Sequence, residues 1–310
     1  METQGHIFPP YSFLSSRFTI RTPNGRRSAV CTLRNATRLL YAFAPHLSDL
    51  IVYPGAAKPL IRPSRADPEI HGKDGLGGVV GLPTFTSPAI SSRLKASEGL
   101  KAIEGIANAT RKAIVAGTKI HLVACGPLTN IALFISVYPE LIAGIEEICF
   151  MGGGVGIGNR SPVAEFNILC DPEAAQIVVD ADVRKVMIPL NPTTPLRETL
   201  SSLLSFFAES YRTTFGFIDG PPLHDALTIA YVSKPELFET IRYRVDVDCS
   251  TSLGVGQTVV DVFNYRTCED NWGSAGKNVL VAIDVDVAGF FDVFFASVDR
   301  CDLTTPLNMV

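Results

Sequence analysis

From residue 34 onward, short apolar runs rich in β-branched residues alternate with stretches of helical period. No other feature of the sequence constrains the fold as much. Parallel strands can be joined only through a crossover, so this order builds βαβ units. Residues 120–124, 145–151, 186–190, 243–247, 259–262 and 278–285 read as strands, and 50–53 as a short one. Residues 35–43, 96–116, 198–207, 227–231 and 288–297 read as helices, as do stretches opening at Leu128 and at Asp171. In 96–116, Leu100, Ile103, Ile106, Ala107 and Ile114 fall near the 3.6 period. Asp171-Pro172-Glu173 has the character of N-cap, N1 and N2, opening a helix through Asp180. No repeat and no Pro/Ser-rich linker interrupts the pattern. The expected fold is α/β: a single domain with a mainly parallel central β-sheet flanked by helices. Ligands of such sheets sit at the carboxyl ends of the strands, so the loops there are where chemistry is sought.

Composition narrows the class. Hydrophobic residues make up 46% and charged residues 19% of 310, which excludes a disordered chain. A formal net charge of −4 gives no electrostatic footprint for nucleic acid. No run of ~18 apolar residues suggests a membrane span; the most apolar stretch, 278–298, is broken by Asp284, Asp286 and Asp292. Seven cysteines are scattered with no C-x-x-C pair, which argues against a disulfide framework or zinc knuckle and for reduced thiols in the cytoplasm. The first 48 residues hold six arginines and one acid, Glu2. That is the composition of a mitochondrial leader, but Pro9, Pro10 and Pro23 would interrupt its amphipathic helix. The expectation is a cytoplasmic protein with an irregular segment 1–33 and an α/β domain 34–310.

Three loops after strands, or opening helices, stand out. In Cys125-Gly126-Pro127-Leu128-Thr129-Asn130 the Gly-Pro turn exposes backbone groups at a strand end. A carbonyl there suits a hard cation, and a plain strand-to-helix turn uses the same residues. In Met151-Gly152-Gly153-Gly154 and onward, the glycines let a ligand approach the backbone. Neither the dinucleotide fingerprint nor a Walker lysine is present. Asn159, Glu165 and Asn167 follow; amides beside a carboxylate suit hydroxyl recognition, and equally they can cap their own backbone. His224-Asp225 places an imidazole and a carboxylate at a helix start, where Asp225 could also be a simple N-cap. A glycine-rich loop, 71–78, carries His71 and Asp74.

Taken in order, these segments resemble the inosine-uridine-preferring nucleoside hydrolase family, fungal-type members in particular. The residues are HGKDGLGG (71–78), VACGPLTN (123–130), MGGG (151–154), GNRSPVAEFNILCDPEAA (158–175), PPLHDAL (221–227), RVDVDCSTSLGVGQTVVD (244–261) and VAIDVDVAGFFD (281–292). The resemblance implies hydrolysis of the N-glycosidic bond of ribonucleosides to base and ribose, in nucleoside salvage or catabolism, with a bound Ca²⁺. By position it implies Asp225 and the backbone carbonyl of Cys125 as calcium ligands. It implies ribose contacts from Asn159, Glu165 and Asn167, packing of Met151 on the sugar, His71 in the pocket wall, and His224 as the catalytic group near the leaving base. It implies a small-molecule nucleoside as partner and a homo-oligomer, with no role for nucleic acid or membrane.

The chain departs from the family at its start. Members open with a strand ending in D-x-D-x-G-x-D-D, whose carboxylates supply most of the metal ligands, whereas here no aspartate precedes Asp49. Two readings follow: a nucleoside N-ribohydrolase, and a catalytically impaired relative that binds nucleoside or ribose without turnover. The gap left by the missing strand is expected to be filled by Phe18-Thr19-Ile20.

Overall fold

The strands of this sheet are apolar on both faces and need cover on both sides. A computed structural model of the chain describes residues 28–47, 49–65, 74–76, 79–190 and 223–306. Its helices are α1 (Ser28–Phe43), α2 (Pro88–Ala96), α3 (Ala102–Val115), α4 (Thr129–Val137), α5 (Phe166–Cys170), α6 (Pro172–Asp180), α7 (His224–Ser233) and α8 (Val287–Asp302). Its strands are β1 (Ile120–Ala124), β2 (Ile145–Met151), β3 (Arg184–Ile188), β4 (Phe238–Tyr243), β5 (Val245–Val247), β6 (Thr258–Val260) and β7 (Val279–Val285). The main sheet runs β1-β2-β3-β7-β4, and β5-β6 form a separate hairpin. The first four strands are parallel; β4 joins antiparallel at the edge. This is the expected single α/β domain.

Alternation along the strands sorts side chains to two cores. Ile148, Phe150, Met187 and Val281 face one core with Ile106, Phe134 and Val178 from α3, α4 and α6. Cys149, Val186, Ile188 and Ala282 face the other, with Leu227, Tyr231, Phe290 and Phe291 from α7 and α8. Each buried aromatic or aliphatic side chain contributes about 1.5–3 kcal/mol. Short caps start the helices: Asp171 accepts from Ala174 N–H at 3.2 Å, and Asp286 from Gly289 N–H at 3.2 Å.

Several sequence boundaries move. Residues 50–53 form no strand; only Tyr53 takes a bridge pairing, and its ring lies where a Cβ on Gly105 would be, 2.8 Å away. Of the stretch 96–116 only Ala102–Val115 is helix, as α3; Ala96 ends α2, and between them Gly99 turns the chain at φ 76°. The stretch 243–247 divides between β4 and β5, since Val245 leaves the main sheet to bond Asn278 Oδ1 at 2.8 Å. The first helix begins at Ser28 rather than Asn35. The expected helix 198–207 and the gap-filling Phe18-Thr19-Ile20 lie outside the described residues.

The amino end of the sheet carries several buried charges. Lys185, on β3, is wholly buried and donates to the carbonyls of Ala181 and Trp272. Burial pulls its ammonium down to about 7. Arg242 stacks 3.9 Å over the Trp272 ring, and Arg244 pairs with Asp246 and Asp180. Buried Glu147 meets Arg184 at 2.7 Å.

Candidate active site

Parallel register sets two loops side by side at the opposite, carboxyl end. Ala124 of β1 pairs with Phe150 of β2, so Cys125 and Met151 leave neighbouring strand ends; adjacent strands stand about 4.8 Å apart. Beyond Met151 the glycines are held through their backbone. Gly152 N–H donates to Ile188 O at 3.2 Å, and Gly153 O accepts from Leu190 N–H at 3.0 Å. Gly153 sits at φ 80°, where a Cβ would meet Thr258 at 2.9 Å. Only glycine suits that position.

Glu165, Asn167, Asn159 and Met151 form one hydrogen-bonded group. Glu165 caps α5: its Oε2 accepts from Gly153 N–H (3.1 Å), Asn167 N–H (2.9 Å) and Ile168 N–H (3.2 Å). Its carboxyl is 2% exposed, and desolvation raises it to about 7 against the lowering pull of those amides. Asn167 donates from Nδ2 to Met151 O and to Met151 Sδ, both at 3.1 Å, so its amide donors are committed to Met151. Asn159 spends its side-chain carbonyl on Phe166 N–H at 2.9 Å, so its amide hydrogens are what it can present. Capping and hydroxyl recognition, alternatives at the sequence level, are compatible: each group uses one polar atom for the backbone and keeps another.

Cys125 and Asp225 form a second group. Cys125 Sγ donates to the Asp225 carbonyl at 3.8 Å, docking the first turn of α7 on the loop after β1. Cys149 Sγ meets Thr228 O at 3.6 Å one turn later, so α7 lies along β2, the strand that ends in Met151. Asp225 is half-buried rather than buried, and it is the second residue of α7, not its cap; Leu223 holds the cap position. The open first turn still favours its carboxylate through the positive helix end. His224 opens the same helix and is half-buried. His71 lies outside the described residues.

Calcium takes roughly six to eight oxygens. Among the described residues no three His, Cys, Asp or Glu side chains stand together as a metal site. Asp225 and the Cys125 carbonyl do not make such a shell, and the sequence has no aspartate before Asp49 to add to it. The residues described here do not fit the ion.

Two supporting residues carried no site role in the sequence. Asp171, fully buried, caps α6 as expected but also accepts from Thr129 Oγ1 at 2.6 Å and Leu60 N–H at 3.0 Å, tying the Cys125 turn to residues 56–62. Thr258 bonds Gly154 through both N–H and C=O. A cap motif reveals the first bond of Asp171; nothing local reveals the others.

The chain is similar to known proteins over most of its length. The chain is 33% identical over 306 residues to a probable ribonucleoside hydrolase of Dictyostelium discoideum, covering 91% of this chain and 86% of that one. It is 36% identical over 292 residues to the pyrimidine-specific ribonucleoside hydrolase RihA of Shigella boydii, covering 88% and 87%. A purine-preferring ribonucleoside hydrolase from Gardnerella vaginalis superposes with a TM-score of 0.70 at 26% identity, covering 88% and 86%. With the family model for inosine-uridine preferring nucleoside hydrolases matching residues 18–292, the chain belongs to that family.

Proposed function

We propose that this chain is a nucleoside N-ribohydrolase. It cleaves the N-glycosidic bond of ribonucleosides of the inosine and uridine type, in nucleoside salvage or catabolism. The observation that carries this reading is the division of labour in the Glu165–Asn167–Asn159 group. Glu165 Oε1 and Asn167 Oδ1 accept hydrogen bonds and Asn159 donates one, a set that matches the vicinal hydroxyls of a ribose. Each of the three is anchored to backbone through its other polar atom.

The chemistry follows from what these residues hold. Glycosidic cleavage passes through an oxocarbenium-like sugar, which a carboxylate beside the ribose stabilises. Met151 closes the apolar side of the sugar. The bond from C1′ to the base nitrogen breaks as His224 gives a proton to the base; water adds at C1′ and releases to solvent the proton that His224 takes back. Deprotonated Glu165 is the active form, so the reaction gains as pH rises through about 7.

The test is ribose release from uridine, cytidine, inosine and guanosine with calcium supplied. The relatives named for pyrimidine and for purine make that panel necessary. Folded protein that frees ribose from none of them would overturn the reading.

A further inference from the structure

A loop of three glycines has no side chains to hold its own conformation, and glycine loses the most freedom when ordered. Yet Gly153 must present its N–H to Glu165. The hairpin β5-β6 adds a side-chain brace to the backbone bonds from Ile188 and Leu190. Thr258 is buried; its Oγ1 accepts from Gly154 N–H at 2.9 Å and donates to Gly154 O at 2.8 Å. Gln257 bridges antiparallel to Ala164, the residue before Glu165. Gly256, at φ 78°, lies so close to α5 that a Cβ would come within 2.8 Å of Leu169 Cα. Three consecutive residues therefore touch the three chain segments around the carboxylate.

The hairpin has a firm footing. Thr258 pairs with Val247, and Val260 with Val245. At that far end Asn278, wholly buried, accepts from Val245 N–H at 2.8 Å and donates to the carbonyls of Val245 and Val179 at 2.9 Å each. The brace thus transmits the rigidity of β7 and α6 to the glycine loop.

We propose that Gly256-Gln257-Thr258 is a positioning brace for substrate hydroxyl binding, and that Thr258 holds the glycine loop so that Gly153 engages Glu165. This rests on the nucleoside hydrolase reading for its substrate, but the mechanical link does not. Valine matches threonine in shape and lacks the hydroxyl, so Thr258→Val removes both bonds to Gly154 while filling the same space. Thr258→Ser keeps the oxygen.

Carbon-13 NMR titration of the Glu165 carboxyl, assigned by its loss in Glu165→Gln, reads the link with or without turnover. In Thr258→Val the midpoint should move up by roughly one pH unit, as a carboxylate does on losing a backbone donor. At a pH about two units above the wild-type midpoint, where Glu165 is deprotonated in both proteins, the Michaelis constant for a nucleoside should rise about tenfold with kcat within about twofold, since the loss falls on binding. Thr258→Ser should restore both. A folded Thr258→Val with the wild-type midpoint overturns the brace, as does a Ser variant shifted as far as Val. Absence of ribose release by the wild type overturns the hydrolase reading instead and leaves the titration decisive for the brace. If Thr258→Val does not fold, amide exchange in the wild type decides. Gly153 and Gly154 exchanging together and more slowly than Gly156 support the brace; Gly154 exchanging as fast as Gly156 overturns it.

Discussion

The two ends of the central sheet bury polar groups by opposite rules. At the amino end, Lys185, Arg244 and Glu147 are matched to carbonyls, carboxylates and an arginine within the chain. At the carboxyl end, Glu165 and Asn167 are just as buried, but each commits one polar atom to backbone and holds another in reserve. A buried polar group left short of partners costs stability, and functional ends are where proteins carry that cost. The difference separates groups spent wholly on closing the fold from groups that keep a polar atom, which is what the proposed ribose site requires.

The two ends also respond to pH in opposite senses. Glu165 titrates above its ordinary 4.5, so the folded state keeps the proton longer. The stability tied to it is present below pH 4.5 and is lost as pH rises through about 7. Lys185 titrates below its ordinary 10.5, so its contribution is present above pH 10.5 and is lost as pH falls through about 7.

The comparison breaks first, if it breaks, at Glu165. Glu165→Gln should lower kcat/KM by about 10²–10³-fold, from the lost negative charge beside the sugar. A single carbonyl oxygen can still accept the three amides, so the variant should be more stable than wild type at pH 8 by on the order of 3 kcal/mol, and equal to it near pH 4. Thermal unfolding across pH with a ribose-release assay checks both; a variant both inactive and destabilised at pH 8 would place Glu165 with the closing groups.

Lys185→Met tests the other end. It leaves the Ala181 and Trp272 carbonyls without their donor, a loss of about 2–4 kcal/mol in denaturant unfolding. Turnover per folded molecule should stay within about twofold, and stability should no longer climb between pH 7 and 10.5. Thr129→Val probes the bond between, removing the hydroxyl from Asp171, and should cost about 2 kcal/mol. The smallest effect belongs to Lys119→Ala. Its pair with Glu146 spans 3.5 Å between half-exposed side chains, and chemical denaturation should change by less than about 0.5 kcal/mol.

Much of this is legible along the chain. Strand β2 is bounded in sequence as it is in the fold, and its run Ile148-Cys149-Phe150-Met151 is buried on both faces. The glycine loop and the polar residues after it stand out for the same local reason, and Asp171-Pro172 announces its helix. What escaped was non-local. Gly99 falls inside the stretch read as one helix from 96 to 116, yet its left-handed turn stands between the end of α2 and the start of α3. Lys185 lies just before the apolar run read as a strand, 186–190, and the fold buries it within β3.

By itself the sequence determined the βαβ order and the family, since periodicity, caps and motifs depend on residues a few positions apart. Only the tertiary structure decided which polar groups are spent and which are kept. Thr258 and Gly154 stand 104 residues apart, and Thr129 and Asp171 stand 42 apart. Hydrogen bonds of that reach exist only once strand order and register have brought their partners within about 3 Å, and no local pattern encodes that distance.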